Sequence, residues 1–265
     1  MTKSLIYLEE NLQSSIALRF ADKLAGLTNM VLQVIHVEEP DKKLTAGTGW
    51  VRRSWEQGLI EAGNEEVRRL LKTENVKSQV LSPIIIVGDR QDEVLNELKR
   101  GSYQLYIEGY LNTANVNDFN RLLKSHPFHD APCSVLVVKN LAPPEKVLIL
   151  LGEGVETDRI ISCFSQLYQN PNKPLEVTVI HYIFKESPRI QFKDKAAAGT
   201  YLVEAEKLLE ASGFSGIELL VVEGTPEQVS EYIKDYGLVI SKFPTRRSPR
   251  FELLALVSNP VLLCK

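Results

Sequence analysis

Leu32-Gln33-Val34-Ile35-His36-Val37 and Val177-Thr178-Val179-Ile180-His181-Tyr182 are two versions of one run, 145 positions apart, and each carries its histidine at the same place. The match extends in both directions. Upstream, Ser4-Leu5-Ile6-Tyr7-Leu8 corresponds to Val147-Leu148-Ile149-Leu150-Leu151 at an offset of 143. Downstream, Ile86-Val87-Gly88 corresponds to Val222-Glu223-Gly224 at 136, and Ser134-Val135-Leu136-Val137-Val138-Lys139 to Pro260-Val261-Leu262-Leu263-Cys264-Lys265 at 126. Four matches in one order, with drifting offsets, describe a duplicated unit whose loops have changed length. Ala142-Pro143-Pro144 between the copies reads as a short stiff linker. The expected domains are therefore residues 1–140 and 145–265.

Within the first copy, apolar runs at 5–8, 31–36, 84–87, 105–107 and 135–138 alternate with segments of helical period. The runs are apolar at consecutive positions, as in strands buried on both faces. Ile16, Phe20, Leu24 and Leu27 recur at helical spacing, as do Val94, Leu95 and Leu98, with a looser stripe at Trp55, Leu59, Ala62 and Leu70. The second copy repeats the plan with Ile160, Phe164 and Leu167, then Tyr201, Ala205 and Leu208, then Val229 and Ile233. Strand–helix alternation predicts right-handed crossovers and parallel sheets covered on both faces. The stretches 45–49 and 185–195, rich in glycine, proline or charge, are expected to be the least regular parts.

Composition narrows the function. Among 265 residues, 31 Lys and Arg face 34 Asp and Glu, a formal charge of −3, so there is no general basic field for a nucleic acid. The longest apolar runs fall far short of the roughly 20 residues of a membrane span, so neither partner class is expected. The first residues lack the pattern of a secretory signal. Cys133, Cys163 and Cys264 are odd in number and far apart, fitting neither a disulfide framework nor a paired zinc site. A reducing cytoplasm is the expected location.

Asp130-Ala131-Pro132-Cys133-Ser134-Val135-Leu136-Val137-Val138, Gly224-Thr225-Pro226-Glu227-Gln228-Val229 and Val34-Ile35-His36-Val37 together resemble a tandem universal stress protein. The first is similar to the family's closing Ala-Pro-Cys strand, the second to its turn before helix 3, and the third to its strand 2. The resemblance covers nearly the whole chain. It implies two Rossmann-like domains, each a five-stranded parallel sheet in order 3-2-1-4-5, forming a pseudo-dimer in one chain. It also implies pairing through strand 5, which makes 135–138 and 261–263 the candidate edges. Members of the family act in stress survival and regulation, usually without catalysis; some bind ATP and others bind no nucleotide.

Ligands of such sheets lie beyond the carboxyl ends of the strands where strand order reverses, here between strands 1 and 4 of each copy. ATP-binding members place an Asp after strand 1 and a glycine-rich loop ending in Gly-Ser/Thr after strand 4, where backbone N–H groups and a helix N-terminus meet phosphate. In the first copy the resemblance puts Glu9 at the acid and Gly109 at the first glycine, but Asn112 at the second and Arg121-Leu122 at the final pair. In the second copy Gly152 is retained after strand 1, Leu151 replaces the acid, and Arg247-Ser248 take the final pair, flanked by Arg246 and Arg250. Both loops are degenerate, so no cofactor is expected. The alternative is ATP, AMP or phosphate held by Ser248, Arg246, Arg247 and Arg250 through charge-assisted bonds.

Other chemistry is thinly represented. Duplication accounts for His36 and His181 without a function. His126 and His129 stand three apart, but Pro127 argues against a helix aligning them, so no metal site is expected. Cys133 reads as a small buried hydrophobe, and Cys264, next to the last residue, as partly exposed. Trp50, Trp55, Arg52 and Arg53 fit the lip of a helix better than a base-stacking surface. Gly152-Glu153-Gly154 lacks the third glycine of a dinucleotide fingerprint, Thr157 standing there, and no P-loop, nucleophile elbow or zinc helix occurs. The chain is thus expected to be a non-catalytic regulatory or interaction module of the stress response, working with a protein partner or as a homodimer. A nucleotide- or anion-responsive sensor is the alternative.

Overall fold

The computed structural model describes residues 1–40, 50–111, 115–169 and 171–265, with side chains left undescribed at 50–52. The first half of the chain runs β1 (Thr2–Tyr7), α1 (Leu12–Leu27), β2 (Met30–Glu38), α2 (Trp50–Thr73), β3 (Ile84–Val87), α3 (Arg90–Arg100), β4 (Leu105–Gly109), α4 (Val116–Leu123), α5 (His126–His129) and β5 (Ser134–Val138). The second half runs β6 (Lys146–Gly152), α6 (Thr157–Leu167), β7 (Glu176–Phe184), β8 (Gln191–Lys193), α7 (Tyr201–Ala211), β9 (Glu218–Gly224), α8 (Pro226–Tyr232), β10 (Leu238–Lys242), α9 (Pro249–Leu256) and β11 (Val261–Cys264).

Local chemistry starts these helices. Asn11 accepts from Ser14 N at 2.8 Å ahead of α1, and Asp89 caps α3 through Gln91 N and Asp92 N. Thr225 and Gln228 form a reciprocal capping box on α8. Each cap satisfies backbone donors that the first turn cannot. Pro127 sits in the first turn of the one-turn helix α5, where proline's missing N–H costs nothing. The expectation that Pro127 would prevent a helix there was incorrect for this reason.

Two five-stranded parallel sheets were expected; the structure has one mixed sheet of eleven strands, in order β3-β2-β1-β4-β5-β11-β10-β6-β7-β9-β8. Within each half the order 3-2-1-4-5 holds. The halves fuse because β5 and β11 pair antiparallel, Val135 with Leu263, Leu136 with Leu262 and Val137 with Val261. Both strands are almost wholly buried, so an unpaired edge at either would offer apolar side chains and free backbone groups to water. Pairing the two edges removes both. The eleventh strand is β8, antiparallel on β9. It lies inside the 185–195 stretch expected to be irregular, where Lys185 N also bonds Gly224 O at 3.2 Å. The 45–49 stretch lies outside the described residues.

Helices cover both faces. Ala17, Phe20 and Leu24 of α1, Val67 of α2, Phe164 of α6 and Leu209 of α7 join one core; Val94 of α3, Phe119 of α4, Val229 of α8 and Phe251 of α9 join the other. Cys264 is 1% exposed rather than partly exposed, because the last strand is an interior strand between β5 and β10. Cys133 is buried as expected. Lys139, just past β5, reaches into the second half and donates to the carbonyls of Leu254 (2.8 Å), Ala255 (3.2 Å) and Val257 (2.8 Å) at the end of α9. Among the described residues no helix is long and apolar enough to cross a membrane.

Candidate functional site

Strand order reverses between β1 and β4 in the first half and between β6 and β10 in the second. A crevice beyond the carboxyl ends is therefore expected at each. At these strand ends the first half carries an ion-pair cluster. Arg90, the first residue of α3, lays its guanidinium 4.1 Å from the centre of the Tyr7 ring and donates to Glu108 Oε1. Tyr106 donates to Glu108 Oε2, and Tyr7 donates to Glu9 Oε1. Burial raises the Glu108 carboxyl above its ordinary value, with Arg90 pulling against it. Burial would lower Arg90, but Glu108 and the neighbouring tyrosines outweigh it and hold the guanidinium above its ordinary value. The arginine is thus charged and already neutralised.

At the strand ends of the second half the arginine comes from a different element. Arg250, in the first turn of α9, passes over Gly152, where a Cβ would lie 3.9 Å from the arginine Cδ. Its Nη1 donates to Ser241 Oγ at 2.9 Å and to Lys242 O at 3.0 Å. Burial lowers its pKa, and no carboxylate contacts it among the described residues. Arg90 follows β3 whereas Arg250 follows β10, so the two are not equivalent positions of the repeat. Duplication does not account for two arginines placed this way.

The residues singled out from sequence separate. Gly109 serves packing: a Cβ there would fall 2.1 Å from Gln13 O in the first turn of α1. Glu9 accepts from Asn11 Nδ2 at 2.9 Å, and its N–H donates to Ser14 Oγ at 2.9 Å, which fixes the turn into α1. Asn112 lies outside the described residues. Arg121 and Leu122 do not stand at a loop before a helix, as counting back from Ala131 implied. They lie within α4, with Arg121 pairing Asp118 at 3.1 Å, because α5 takes up the residues between α4 and β5. Ser248 does stand at a helix start, as the N-cap of α9, accepting from Phe251 N at 3.1 Å.

Arg246 and Arg247, unlike Arg250, line a groove of about 490 Å³ between the halves, lined also by Lys124, His129, Arg159 and Lys242. Arg247 donates to Asn117 Oδ1 at 2.5 Å across the groove. Glu156 offsets part of the charge, receiving Lys242 at 2.5 Å and Arg159 at 3.5 Å. Lys265, at the groove's floor, donates to the carbonyls of Phe128, His129 and Ala131, and burial pushes its amine down to about 8. A net basic groove thus exists in an acidic chain.

His36 and His181 occupy equivalent places, beside Leu8 and Leu151, but in unlike surroundings. His181 stacks on Tyr201 at 5.0 Å with Nδ1 unpartnered, and burial lowers its pKa. His36 Nδ1 bonds Leu8 O at 2.8 Å, and its Nε2 lies 3.1 Å from Glu38 Oε1. His126 and His129 diverge, one toward Asp92 and the other toward Asp130. Trp55 is half-buried on α2, while the side chains of Trp50 and Arg52 lie outside the described residues. Arg90, Glu108 and Lys139 went unrecognised in the sequence. The signal was there for one of them, since Glu108 interrupts the apolar run of strand 4.

No protein-family model matches the chain, and no curated protein matches it. Solved structures do. A universal stress protein from Archaeoglobus fulgidus superposes with a TM-score of 0.63 at 17% identity, over 99% of this chain and 96% of that one. A functionally unknown protein from Pseudomonas aeruginosa gives 0.55 at 15% identity, over 99% and 92%. The cytoplasmic domain of a prokaryotic cation chloride cotransporter gives 0.55 at 8% identity, over 99% and 94%. The chain has the whole-length fold of these proteins.

Proposed function

We propose that this chain is a tandem universal-stress-type protein, a non-catalytic regulatory or interaction module whose two domains, 1–140 and 145–265, pair as two subunits would. The observation that carries the reading is the pair of arginines in the crevices. Arg90 and Arg250 occupy, from different helices, the places where a phosphate group would approach the strand ends, and each is bonded to the protein itself. Displacing the half-buried Arg90 would strip the buried Glu108 of its partner, a loss smaller than the roughly 3–5 kcal/mol of fully buried pairs. A nucleotide would have to repay that before gaining affinity. What the module offers a partner protein in the cytoplasm is its surface, not a turnover site.

A second reading follows from the groove between the halves. Arg246 and Arg247 face Lys124 and Arg159 there, exposed and only partly neutralised, an arrangement suited to a phosphate or carboxylate group. In this reading the chain senses an anion at the junction of its domains rather than in either crevice.

One experiment tests both. The purified protein is denatured and its supernatant chromatographed for nucleotide, and ATP, AMP and phosphate are titrated calorimetrically against wild type, Arg247→Ala and Arg250→Ala. The first reading expects no co-purified nucleotide and no heat. Heat lost in Arg247→Ala but kept in Arg250→Ala establishes the groove reading. Stoichiometric adenine nucleotide in the supernatant overturns the first reading.

A further inference from the structure

His36 is 4% exposed and sits at the carboxyl end of β2 under α2. Gly63 of α2 makes room for it, since a Cβ there would lie 2.9 Å from the imidazole Cδ2 and 3.2 Å from Glu38 Oε1. His36 Nδ1 lies 2.8 Å from Leu8 O. A carbonyl can only accept, so Nδ1 carries the proton, and in the neutral ring Nε2 is left as a lone pair. That lone pair faces Glu38 Oε1 at 3.1 Å, another acceptor. Glu66 Oε1 lies 3.9 Å from the other ring nitrogen, Nδ1, and the ligand atoms of His36, Glu38 and Glu66 lie within 4.8 Å of one another.

We infer that His36, Glu38 and Glu66 form a binding site for a divalent first-row transition-metal ion of the Zn²⁺ class. The distances fit. Two ligand atoms about 2.1 Å from one ion, subtending roughly 90–110°, are about 3.0–3.4 Å apart, which brackets the separation of His36 Nε2 and Glu38 Oε1. Glu66, whose Oε1 is held by Glu10 N–H on the Nδ1 side, would complete the set by swinging its partly exposed carboxylate toward Nε2. The outer contacts are those of a metal histidine: a backbone carbonyl fixes the imidazole tautomer, and Glu10 N–H donates to Glu66 Oε1 at 2.5 Å. The local charge asks for a cation, because Glu10, Glu38 and Glu66 gather here and Arg69 engages Glu10. One nitrogen and two carboxylates leave room for water in the remaining positions.

The site belongs to the first half only. At the equivalent of Glu38 the second half has Ile183, and His181 packs on Tyr201. Repetition therefore explains the histidine but not the carboxylates around it.

Co²⁺ is the probe, added to the metal-stripped full-length protein and followed by its visible d–d absorption, with Zn²⁺ as competitor. The expected result is a saturable signal at one ion per chain, displaced by Zn²⁺. It should weaken at least tenfold in both Glu38→Gln and Glu66→Gln and persist in His129→Gln. These isosteric changes sit on partly exposed side chains, and circular dichroism checks that the variants are folded. In parallel, the ¹⁵N signal of His36 Nε2 should shift on adding Zn²⁺. A ring indifferent to Zn²⁺ overturns the inference. So does a Co²⁺ signal that is absent from wild type or equal in the glutamine variants.

Discussion

At the scale of single residues, the charges that matter most are the buried and half-buried ones, and each solves its desolvation differently. Arg90 does so by pairing with Glu108, whereas Arg250 relies on neutral acceptors, Ser241 and the Lys242 carbonyl. Lys139 is the extreme case, 4% exposed, with three carbonyls around its amine and the Phe119 ring 4.7 Å away. Burial pushes that amine down to about 7. Between about pH 7 and the ordinary lysine value near 10.4, the unfolded chain then holds a proton that the folded chain has released. Stability from this group accordingly rises with pH across that window and is level below it. We expect urea unfolding at pH 7, 8 and 9 to show wild type gaining on Lys139→Met by about 1 kcal/mol per pH unit. A constant difference would mean that the amine stays charged throughout. None of this was visible in the sequence, where Lys139 is only the polar residue that ends an apolar strand.

At the scale of elements, strands and helices were legible because their apolar period announces them, and capping residues the period did not call on bear this out. Asn11, Asp89, Thr225 and Ser248 each precede a helix and each caps it. What the sequence misassigned were loop positions. Counting from Ala131 placed Arg121 and Leu122 at a phosphate loop, and the extra turn α5 displaced them into α4. Gly109 shows the same limit from the other side, a glycine that fits a phosphate motif and is needed for a helix contact. Its missing Cβ lets Gln13 O approach, and a methyl group at 2.1 Å would have to move backbone rather than a side chain. Gly109→Ala should therefore destabilise the protein by about 1–3 kcal/mol through displacement of α1, measured as a drop in urea midpoint at unchanged slope. An unaltered midpoint would show that α1 shifts freely.

For the whole molecule, the decisive contact is the antiparallel join of β5 to β11, reinforced by Lys139 reaching α9 and Lys265 reaching the carbonyls around α5. Separating the chain into 1–140 and 145–265 would bare both apolar edges. Expressed alone, each piece should self-associate in a concentration-dependent way, and mixing them should give a one-to-one complex, both read by light scattering. A piece of 1–140 that stays monomeric at high concentration would show that the β5 edge is not adhesive. The same join creates the basic groove, since Lys124 and His129 come from one half and Lys242, Arg246 and Arg247 from the other.

The amino-acid sequence by itself determined the repeated runs and the alternation of strand and helix, which depend on local periodicity that neighbouring residues encode; the order 3-2-1-4-5 within each copy was what the family resemblance implied. Only the tertiary structure decided that eleven strands form one sheet, that Cys264 is interior, that Arg90 and Arg250 occupy the crevices, and that His36 meets Glu38 and Glu66. Each of these depends on side chains brought together from separate elements, and contacts of that kind leave no period in the chain.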